Sequence, residues 1–468
     1  MIVSTDWLKE YIDINMPLNE LADKLTVAGI ECVLKETGKR IPEGVVVGRV
    51  LEKAAHPNAD KLSVCKVDDG SGETLNIVCG APNVEAGQRV PLARPGTRLA
   101  PDFELKKVKL RGVESEGMIC AEDELGLGED HTGIIVLPDD YEIGRPYNEY
   151  FSSKTVLDID VTANRPDIMS HWGVARMVSA VTGAAFRKAP IDLHEQGPDI
   201  HDIAEVHIEN TEACPRYSAR VVRNVQVAPS PEWMQERLEA VGLRPVNNVV
   251  DAANYVLMET GHPLHTFDHD KLKGNTIRVR FAEKDEKFVT LDHKERVLSE
   301  DVLLICDTQD PVALAGIMGG TETEVDENTR NVLIESAYFA PGVIRRGSKQ
   351  QQLSTDASKR FERGADPNEA LEYARDRLAA LIADLGGGEV AKGAIDVYPK
   401  PVEPKKVSLR LDHVKRITGI EISPGTAGKP SAVWALPFCT KMSVPCRWRS
   451  PPSARMSNAR SIWWKKWR

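Results

Sequence analysis

The sequence predicts an α+β protein built from several domains. Its 468 residues are enough for about three domains, each able to bury a hydrophobic core of its own. Between residues 39 and 150, apolar and polar positions alternate in short runs interrupted by glycine and proline, a pattern typical of a small β-barrel. Between residues 205 and 398, β-branched runs alternate with runs of helical spacing, which indicates a large mixed α/β domain.

The first two predicted domains are an α/β cap over residues 1–38 and the barrel over residues 39–150. In the cap, Trp7, Leu8, Tyr11 and Ile12 have helical spacing, and the segment from Leu18 to Leu25 predicts a second amphipathic helix. Four short runs in the barrel have the period of two that predicts strands: Gly44–Val50, Leu62–Val67, Asn76–Cys79 and Gln88–Leu92.

A helical linker over residues 151–204 and the mixed domain over residues 205–398 follow. In the linker, Asn164 and Asp167 are predicted to cap a helix from His171 to Ala180. In the mixed domain, a helix is predicted from Glu232 to Val241. The strands predicted there lie at Val221–Val225, Ile277–Phe281, Val302–Ile305 and Val332–Ile334. Residues 402–422 are expected to begin a further domain.

Composition excludes several classes of protein. No apolar run is long enough to cross a bilayer, and the first residues lack the pattern of a secretory signal, so a cytoplasmic location without membrane contact is expected. The eight cysteines form no Cys-x-x-Cys pair, so neither a zinc site nor a disulfide framework is expected. The net charge of −10 combines −19 over residues 1–421 with +9 over the residues after Glu421. An acidic body of this kind argues against DNA binding and leaves only local contact with RNA.

Four segments of the mixed domain interrupt apolar runs with glycine or polar residues that a fold alone would not need. They are Asn254-Tyr255 leading into Gly261-His-Pro-Leu-His265-Thr-Phe-Asp268, then Ala315-Gly-Ile-Met-Gly-Gly320, Glu335-Ser-Ala-Tyr-Phe339 and Thr355-Asp-Ala-Ser-Lys-Arg-Phe-Glu-Arg-Gly364. Together they closely resemble the editing module of the bacterial phenylalanyl-tRNA synthetase β subunits. Residues 1–421 fit that family from end to end.

The resemblance implies a fold for each predicted domain. The barrel would be an OB-fold tRNA-binding domain, residues 205–398 an editing domain of the B3/B4 type, and residues 402–422 the start of a truncated winged-helix-like, DNA-binding-fold domain. It also implies partners, namely a catalytic α subunit in an α2β2 assembly and tRNA(Phe). The resemblance also implies that ATP and Mg²⁺ serve the whole synthetase and that amino-acid activation occurs in the α subunit. This chain shows neither a P-loop nor a class II catalytic arginine motif.

Editing is needed in this family because tyrosine differs from phenylalanine by one hydroxyl. An apolar pocket rejects an added hydroxyl by only about a hundredfold. A second site can instead select for that hydroxyl by hydrogen bonding and hydrolyse the mischarged ester. Such a site needs an acceptor for the phenol proton, backbone donors close to the ligand and a positioned water.

Two candidate residues have a physical rationale in the sequence. Glu335 follows the apolar run Val332–Ile334, so its carboxylate is predicted to point from a strand end into a pocket, and the resemblance implies that it accepts the tyrosine hydroxyl. A solvated glutamate is the alternative. Gly316 lacks a Cβ, which lets backbone amides approach a ligand, whereas turn geometry alone would account for Gly319 and Gly320.

The resemblance supplies roles for four more residues. His265, in a predicted loop after Pro263, would hold the water or the terminal ribose of the tRNA. Asn254 would orient the ester carbonyl, and Thr355 and Ala357 would line the pocket near the adenosine. The sequence contains no evident Ser/His/Asp or Cys/His pairing, so hydrolysis by a positioned water is expected rather than a covalent intermediate.

The barrel has its own motifs. His56-Pro-Asn58-Ala-Asp-Lys61-Leu62 and Cys79-Gly-Ala-Pro-Asn83 resemble the OB-fold tRNA-binding domains of several synthetases. The resemblance makes His56, Asn58, Lys61 and Asn83 candidate tRNA contacts, with binding expected to be weak and sensitive to salt. The alternative is purely structural, a turn at Pro57 and Asn58.

Residues 423–468 do not fit the family. They hold five of the eight tryptophans among Pro, Ser and Arg, which is one composition of an RNA-binding tail. We favour translation in a wrong reading frame. Because tryptophan and methionine have single codons, the shift can be checked on the sequence: the codons of Ile462-Trp-Trp-Lys-Lys-Trp-Arg468, shifted by two bases, are compatible with Leu-Val-Glu-Glu-Val-Ala. Extending the shift upstream through Met456 allows Asp-Val-x-x-x-x-Asp before it, and this spacing resembles the magnesium-binding segment of the family. The tail is therefore expected to be disordered, and the metal ligands to be absent from this chain.

The sequence thus predicts a truncated synthetase β subunit that hydrolyses Tyr-tRNA(Phe) and pairs weakly with its α subunit. Two alternatives stay open. One is a tRNA-binding OB-fold protein whose editing domain is inert, and the other is a non-functional truncated product.

Overall fold

The computed structural model describes residues 1–37, 41–100, 103–128, 130–151, 154–403, 405–419, 421 and 423–425, together with a strand at 446–450. The chain forms two compact units. One comprises residues 1–35 with residues 155–468, and the other comprises residues 36–154. Both contain strands and helical turns, so the predicted mixed α/β organisation is confirmed.

The elements of the first 119 residues are mostly short strands. Residues 1–37 contain β1 (Ile2–Ser4), α1 (Thr5–Leu8), α2 (Leu18–Val27) and β2 (Cys32–Thr37). Residues 45–119 contain β3 (Val45–Ala55), β4 (Ser63–Asp68), β5 (Thr74–Cys79), β6 (Arg89–Ala93), β7 (Arg98–Ala100), β8 (Phe103–Glu104), β9 (Val108–Leu110), β10 (Val113–Ser115) and β11 (Met118–Ile119).

The unit of residues 36–154 is built on a five-stranded sheet in the order β11-β6-β3-β4-β5. The two ends of this sheet approach each other, because the Glu116 N–H beside β11 donates to the Asn76 carbonyl of β5 at 2.8 Å. The result is a nearly closed barrel around a buried core that includes Val50, Cys65 and Leu92. Its assignment as an OB-fold stays a prediction.

The second stretch alternates strands and longer helices. Its strands are β12 (Lys154–Ile159), β13 (Glu195–Asp199), β14 (Glu205–Ile208), β15 (Arg216–Arg223), β16 (Leu264–Asp268), β17 (Thr276–Phe281), β18 (Lys287–Val289), β19 (Glu295–Val297), β20 (Leu303–Cys306), β21 (Pro311–Leu314), β22 (Met318–Gly319), β23 (Val332–Tyr338), β24 (Glu389–Lys392) and β25 (Ile395–Val397). Its helices are α3 (His171–Thr182), α4 (Glu232–Ala240), α5 (Asn248–Thr260), α6 (Pro341–Gln350), α7 (Asp356–Arg363) and α8 (Glu369–Gly386).

The N-terminal residues belong to this larger unit. The strands β1 and β2 flank β12 in a three-stranded sheet. A buried chain of hydrogen bonds also ties the N-terminal segment to α5: Trp7 Nε1 donates to Tyr11 Oη at 2.8 Å, and Tyr11 Oη donates to Glu259 Oε1 at 2.7 Å. Satisfied buried polar networks of this kind specify one arrangement of the packed elements.

Two β-sheets lie at the centre of the larger unit. One has the order β13-β24-β15-β23-β16, with β25 also pairing with β15, and the other has the order β14-β17-β20-β21-β22. Every residue of β23 except Tyr338 is buried, as expected for a strand covered on both faces. Phe267, Leu333 and Phe339 contribute to the apolar core between these elements.

The predicted cap of α3 was wrong. The N-cap is Ser170, whose side chain accepts a hydrogen bond from the Gly173 N–H. Asp167 instead accepts two hydrogen bonds from the Arg165 guanidinium, at 2.8 and 2.6 Å. The serine was missed because the earlier polar residues also fit the composition of a cap.

The last described elements are β26 (Lys405–Leu409), α9 (Leu411–Thr418) and β27 (Cys446–Ser450). The strands β26 and β27 pair antiparallel. Residues 423–468 were predicted to be an out-of-frame, disordered tail. The structure describes residues 423–425 and β27 of this segment, and the rest lies outside the described residues.

Candidate functional site

Two of the predicted site residues lie opposite each other in the central sheet. Strand β23 runs between β15 and β16, and Glu335 of β23 pairs in register with His265 of β16 and with Ala219 of β15. Side chains of directly opposite residues project from the same face of a sheet, with Cβ atoms about 5 Å apart. The register therefore brings a carboxyl group and an imidazole into one place.

Glu335 is a buried carboxyl group within a strand. The prediction that it lies at a strand end was wrong, because β23 continues for three residues beyond it. Glu335 is only 5% exposed, and Tyr217 Oη donates a hydrogen bond to its Oε2 at 3.3 Å. Burial raises the pKa of the carboxyl to about 8, although the hydrogen bond from Tyr217 opposes that change. At pH 7 the group is therefore mostly protonated.

His265 lies in strand β16, so its predicted loop position was also wrong. The imidazole packs edge-on against Phe267, with 4.5 Å between the ring centroids. Burial lowers the pKa of His265 to about 4, so the ring is neutral at pH 7. A neutral imidazole offers one nitrogen as donor and the other as acceptor, and neither nitrogen is hydrogen-bonded by another group within the described ranges.

Glycines form the wall facing these two side chains. Gly316 has φ of +65°, and a Cβ there would lie 2.9 Å from carbon atoms of both Phe339 and Phe361. Turn geometry does not account for Gly319, whose φ is not positive. A Cβ at Gly319 would lie 2.6 Å from His265 Cε1, so this glycine makes room for the imidazole.

Helix α7 forms a further wall. Thr355 is its N-cap and takes part in a capping box with Ser358. Thr355 Oγ1 also donates to the Ile317 carbonyl at 2.8 Å, which fixes the start of the helix to the glycine-rich segment. One turn of the helix then presents Ala357 and Phe361 to the site.

These walls enclose a cavity of about 60 Å³. Four of the predicted residues line it, namely Gly316, His265, Glu335 and Ala357. The other lining residues are mostly apolar: Pro263, Leu264, Ile305, Ala313, Leu314, Ile317, Met318, Gly319 and Phe361. A mostly apolar cavity with a few convergent polar groups is typical of a small-molecule site.

Two predicted site residues are not in the lining. Thr355 acts from behind it, through its bond to Ile317. Asn254 lies half-buried on α5, before the Gly261 that ends this helix with φ of +80°. The structure therefore does not bring Asn254 into contact with the cavity.

Sequence reasoning missed two contributors. Tyr217, which donates to Glu335 from the neighbouring strand, is 118 residues away in the chain and carries no local signal. Phe361 lies within the segment Thr355–Gly364 that the sequence had singled out, but an aromatic residue at helical spacing is usually a core residue.

In the barrel, most of the candidate tRNA contacts bind the protein itself. His56 accepts the Asn58 N–H at Nδ1 (3.1 Å), and its Nε2 lies 3.1 Å from the Leu110 carbonyl. Asn58 Nδ2 donates to the Arg111 carbonyl at 3.0 Å. These bonds attach the turn at residues 56–61 to the β9–β10 hairpin. The predicted contacts of His56 and Asn58 with tRNA stay predictions.

Asn83 also binds the backbone, because its side chain donates to and accepts from Ile134 at 2.9 Å. Lys61 differs from the other three candidates. Its ammonium group is exposed and forms no ion pair within the part of the chain that the structure describes. Among the four candidates, Lys61 is the exposed cation, and its contact with an RNA phosphate stays a prediction.

Metal binding and membrane insertion have no structural support in the described residues. Those residues contain no group of three His, Cys, Asp or Glu side chains that could hold a metal ion. Likewise, none of their helices combines the length and the apolar character required to cross a membrane.

Each of the two units contains a region that matches a known family model. The family model described as "B3/4 domain" matches residues 213–387, which include the cavity. The family model described as "Putative tRNA binding domain" matches residues 45–146, which form the barrel.

Curated relatives match the chain across both units, and all three compared here are phenylalanine–tRNA ligase beta subunits. The protein from Syntrophus aciditrophicus (strain SB) is 46% identical over 99% of this chain and 58% of its own length. Those from Geobacter metallireducens and Salinibacter ruber are 48% and 47% identical, over 93% and 90% of this chain and 54% and 53% of their own lengths. The chain thus spans little more than half the length of these relatives, and it belongs to the family of phenylalanine–tRNA ligase beta subunits.

Proposed function

We propose that this chain carries the editing site of a phenylalanine–tRNA ligase and hydrolyses tyrosine that has been attached to tRNA(Phe). The observation that carries the proposal is the buried Glu335 carboxyl at the cavity wall beside His265. A protonated carboxyl has one O–H donor and a carbonyl acceptor, and a phenol hydroxyl is likewise both donor and acceptor. The carboxyl and the phenol hydroxyl can therefore satisfy each other's hydrogen bonds in this mostly apolar cavity.

Discrimination follows from the cost of unpaired polar groups. A site built to hydrogen-bond a hydroxyl rejects an analogue that lacks it far more strongly than an apolar pocket rejects an added hydroxyl. Phenylalanine offers Glu335 no partner in addition to Tyr217, whereas the hydroxyl of tyrosine does. The apolar lining then accommodates the ring that both amino acids share.

Hydrolysis is assigned to a water held by the His265 imidazole, whose acceptor nitrogen can orient one of its protons. The water oxygen bonds to the ester carbonyl carbon, and the bond from that carbon to the ribose oxygen breaks. The ribose oxygen takes up the proton that the water loses. The Gly316 N–H, which no other described group accepts, can donate to the ester carbonyl oxygen.

The test is deacylation by the full chain. We expect Tyr-tRNA(Phe) to lose its amino acid faster with the protein than without it, and Phe-tRNA(Phe) to be left largely intact. Equal rates for the two esters would contradict the proposal, because the hydroxyl would then not be recognised. If neither ester were deacylated faster with the protein, an RNA-binding protein with an inert editing domain would be favoured instead.

The second candidate is an RNA-binding protein whose editing domain is inert. It is supported by the match of residues 45–146 to a tRNA-binding family model and by the exposed side chains of Lys61, Lys109 and Arg111. The bonds of His56 and Asn58 hold the segments that carry these cations together. Binding through a few phosphate contacts would weaken steeply with added salt.

The wider assembly is part of the proposal as well. By its family, the chain would work with an α subunit that attaches phenylalanine to tRNA(Phe) using ATP and Mg²⁺. The described residues do not provide a donor set for a metal ion, so no step of the proposed hydrolysis is routed through one. Amino-acid activation is assigned to the α subunit.

Replacing Gly319 by Ala tests the role of His265. The backbone of Gly319 tolerates alanine, but the added methyl would lie 2.6 and 2.7 Å from His265 Cε1 and Nε2. The imidazole must shift, and a catalytic group misplaced by about 1 Å can cost about a hundredfold in rate. We expect deacylation of Tyr-tRNA(Phe) to slow by about 10- to 100-fold, with overpacking costing about 1–3 kcal/mol of stability.

Gly342→Ala is the matched control. This exposed glycine of α6 also has ordinary backbone geometry, and an added Cβ would meet only Arg346 Nη1, at 3.7 Å. The control should deacylate as the unaltered protein does. A Gly319→Ala protein that deacylates equally well would show that the position of His265 does not matter.

A further inference from the structure

Helix α7 contains a buried arginine that does not line the cavity. Arg360 directly precedes Phe361, which lines the cavity, and it lies one turn after Asp356 at the start of the helix. The residue is only 2% exposed. A buried guanidinium is costly unless its donors are well satisfied, so its partners indicate what it does.

The main partner of Arg360 is a backbone carbonyl of another segment. Its Nε and Nη2 donate to the Met169 carbonyl at 3.2 and 3.1 Å. Its Nη1 donates to the Asp356 carbonyl at 2.9 Å, and the Met258 sulfur lies 3.4 Å from Nη2. The one carboxylate in its ion pairs, that of Asp356, is 54% exposed and 3.4 Å away.

Stability alone does not account for a charge in this place. Replacing a buried ionic group by an apolar side chain of similar volume is often neutral or stabilising. What a guanidinium provides and an apolar chain does not is a planar fork of donors with a fixed geometry. Here two prongs of that fork converge on one oxygen atom, which sets the distance between α7 and Met169.

The turn at Met169 and Ser170 also contacts Gly261, which precedes a second part of the cavity lining. A Cβ on Gly261 would lie 3.1 Å from Ser170 Cβ and 3.5 Å from the Met169 carbonyl oxygen, so the two backbones are in close contact. Gly261 ends α5 and leads directly into Pro263, Leu264 and His265, which line the cavity. We call the segment of residues 261–265 the His265 wall and helix α7 the α7 wall. The turn at Met169 and Ser170 is packed against the first and hydrogen-bonded to the second.

We propose that Arg360 is a positioning residue of the editing site, which holds the α7 wall at a fixed distance from the His265 wall through the Met169 carbonyl. This inference rests on the proposed function. Arg360 acts through Ala357 and Phe361, the cavity residues on its helix, and not by touching the substrate. It determines how closely the cavity fits the tyrosyl group, and hence the preference for tyrosine over phenylalanine.

The experiment compares Arg360→Met with Arg360→Lys in the full chain. Deacylation of Tyr-tRNA(Phe) and Phe-tRNA(Phe) is measured over a range of RNA concentrations, and thermal unfolding is recorded for each protein. We expect Arg360→Met to remain folded, to keep KM within about threefold and to lose about 10- to 100-fold in kcat on the tyrosyl ester. The ratio of the kcat/KM values for the two esters should fall, and lysine, which keeps a charged donor, should restore part of it.

The ratio is the decisive readout, because a smaller folded fraction lowers both rates equally and leaves their ratio unchanged. Arg280→Met is the control. Arg280 lies in β17, outside the cavity lining, and donates to the Glu286 carboxylate through Nη1 and Nη2. Its replacement should leave the ratio unchanged. If Arg360→Met fails to fold, Arg360→Lys alone carries the test through the same ratio.

An unaltered ratio in the folded Arg360 variants, while the unaltered protein prefers the tyrosyl ester, would overturn this inference and leave the proposed function standing. A protein of unaltered sequence that shows no preference would overturn the proposed function instead, and the inference with it.

Discussion

Glu335→Ala is expected to abolish most of the preference for tyrosine. In the variant, the phenol hydroxyl would enter a mostly apolar cavity with its hydrogen-bonding partner removed. Leaving one buried polar group unpaired costs about 1–3 kcal/mol, which corresponds to about a 5- to 150-fold loss of rate on Tyr-tRNA(Phe). The phenylalanyl ester has no hydroxyl to lose a partner, so its slow deacylation should change little. The measurement is the ratio of kcat/KM for the two esters.

Ser336→Ala is the control for this variant. Ser336 follows Glu335 in the same buried strand, but its hydroxyl donates to the Leu371 carbonyl at 2.9 Å and not to the cavity. Its loss should reduce stability and leave the ratio of the two rates unchanged. If Glu335→Ala kept the full preference for the tyrosyl ester, another group would have to recognise the phenol.

Glu335→Gln is expected to make the protein more stable at alkaline pH. Burial raises the pKa of Glu335 from the ordinary value of 4.5 to about 8, so between these values the folded protein binds a proton that the unfolded chain has released. The free energy of unfolding therefore falls as the pH rises through this range. Glutamine keeps the shape of the side chain and does not ionise, so it removes this loss.

The size of the effect follows from the pKa shift, because each unit is worth about 1.4 kcal/mol. We expect the unfolding free energy of Glu335→Gln, relative to that of the unaltered protein, to increase by about 2–4 kcal/mol between pH 5 and pH 9. Denaturant titrations at a series of pH values measure it. A difference that does not change with pH would show that the carboxyl ionises alike in the folded and unfolded chains.

Glu286→Gln provides a comparison of opposite sign. The Arg280 guanidinium holds the pKa of Glu286 below its ordinary value, so ionised Glu286 stabilises the folded state. That contribution is present at neutral pH and is lost as the pH falls through the lowered pKa. Glu286→Gln should therefore be less stable than the unaltered protein at pH 7, and this difference should shrink in acid.

Together these two Glu335 variants separate function from stability. An ordinary structural residue loses stability when it is replaced, whereas Glu335 is expected to lose editing as alanine and to gain stability as glutamine. Polar groups retained at a cost to stability are characteristic of functional sites.

Elements with a strong local pattern could be predicted from the sequence. The helix predicted from Glu232 to Val241 is α4, which ends at Ala240 before Gly242, where φ is +84°. In the barrel, the run Gln88–Leu92 corresponds to β6 at Arg89–Ala93. In both places the residues that set the hydrophobic period are followed within a few positions by the residues that end the element. The element can therefore be predicted without knowledge of distant contacts.

The geometry of the site could be predicted only in part, because it depends on pairing between distant strands. The motifs identified the segments that hold His265 and Glu335, but not that both residues lie within strands and face each other in register. Glutamate is a polar residue type that is depleted in strands, and sequence patterns do not place it inside a strand that is buried on both faces. For this reason a position at the strand end was expected. The contact between Gly319 and His265 is likewise a packing relation that spacing along the chain does not reveal.

The most direct test of the central claim is a crystal structure of the protein soaked with tyrosine, compared with one soaked with phenylalanine at the same concentration. We expect tyrosine in the cavity lined by Glu335 and His265, with its phenol oxygen within about 3.2 Å of a Glu335 carboxyl oxygen. We expect little or no phenylalanine there. Equal occupancy by both amino acids, or tyrosine bound with its hydroxyl away from Glu335, would contradict the claim.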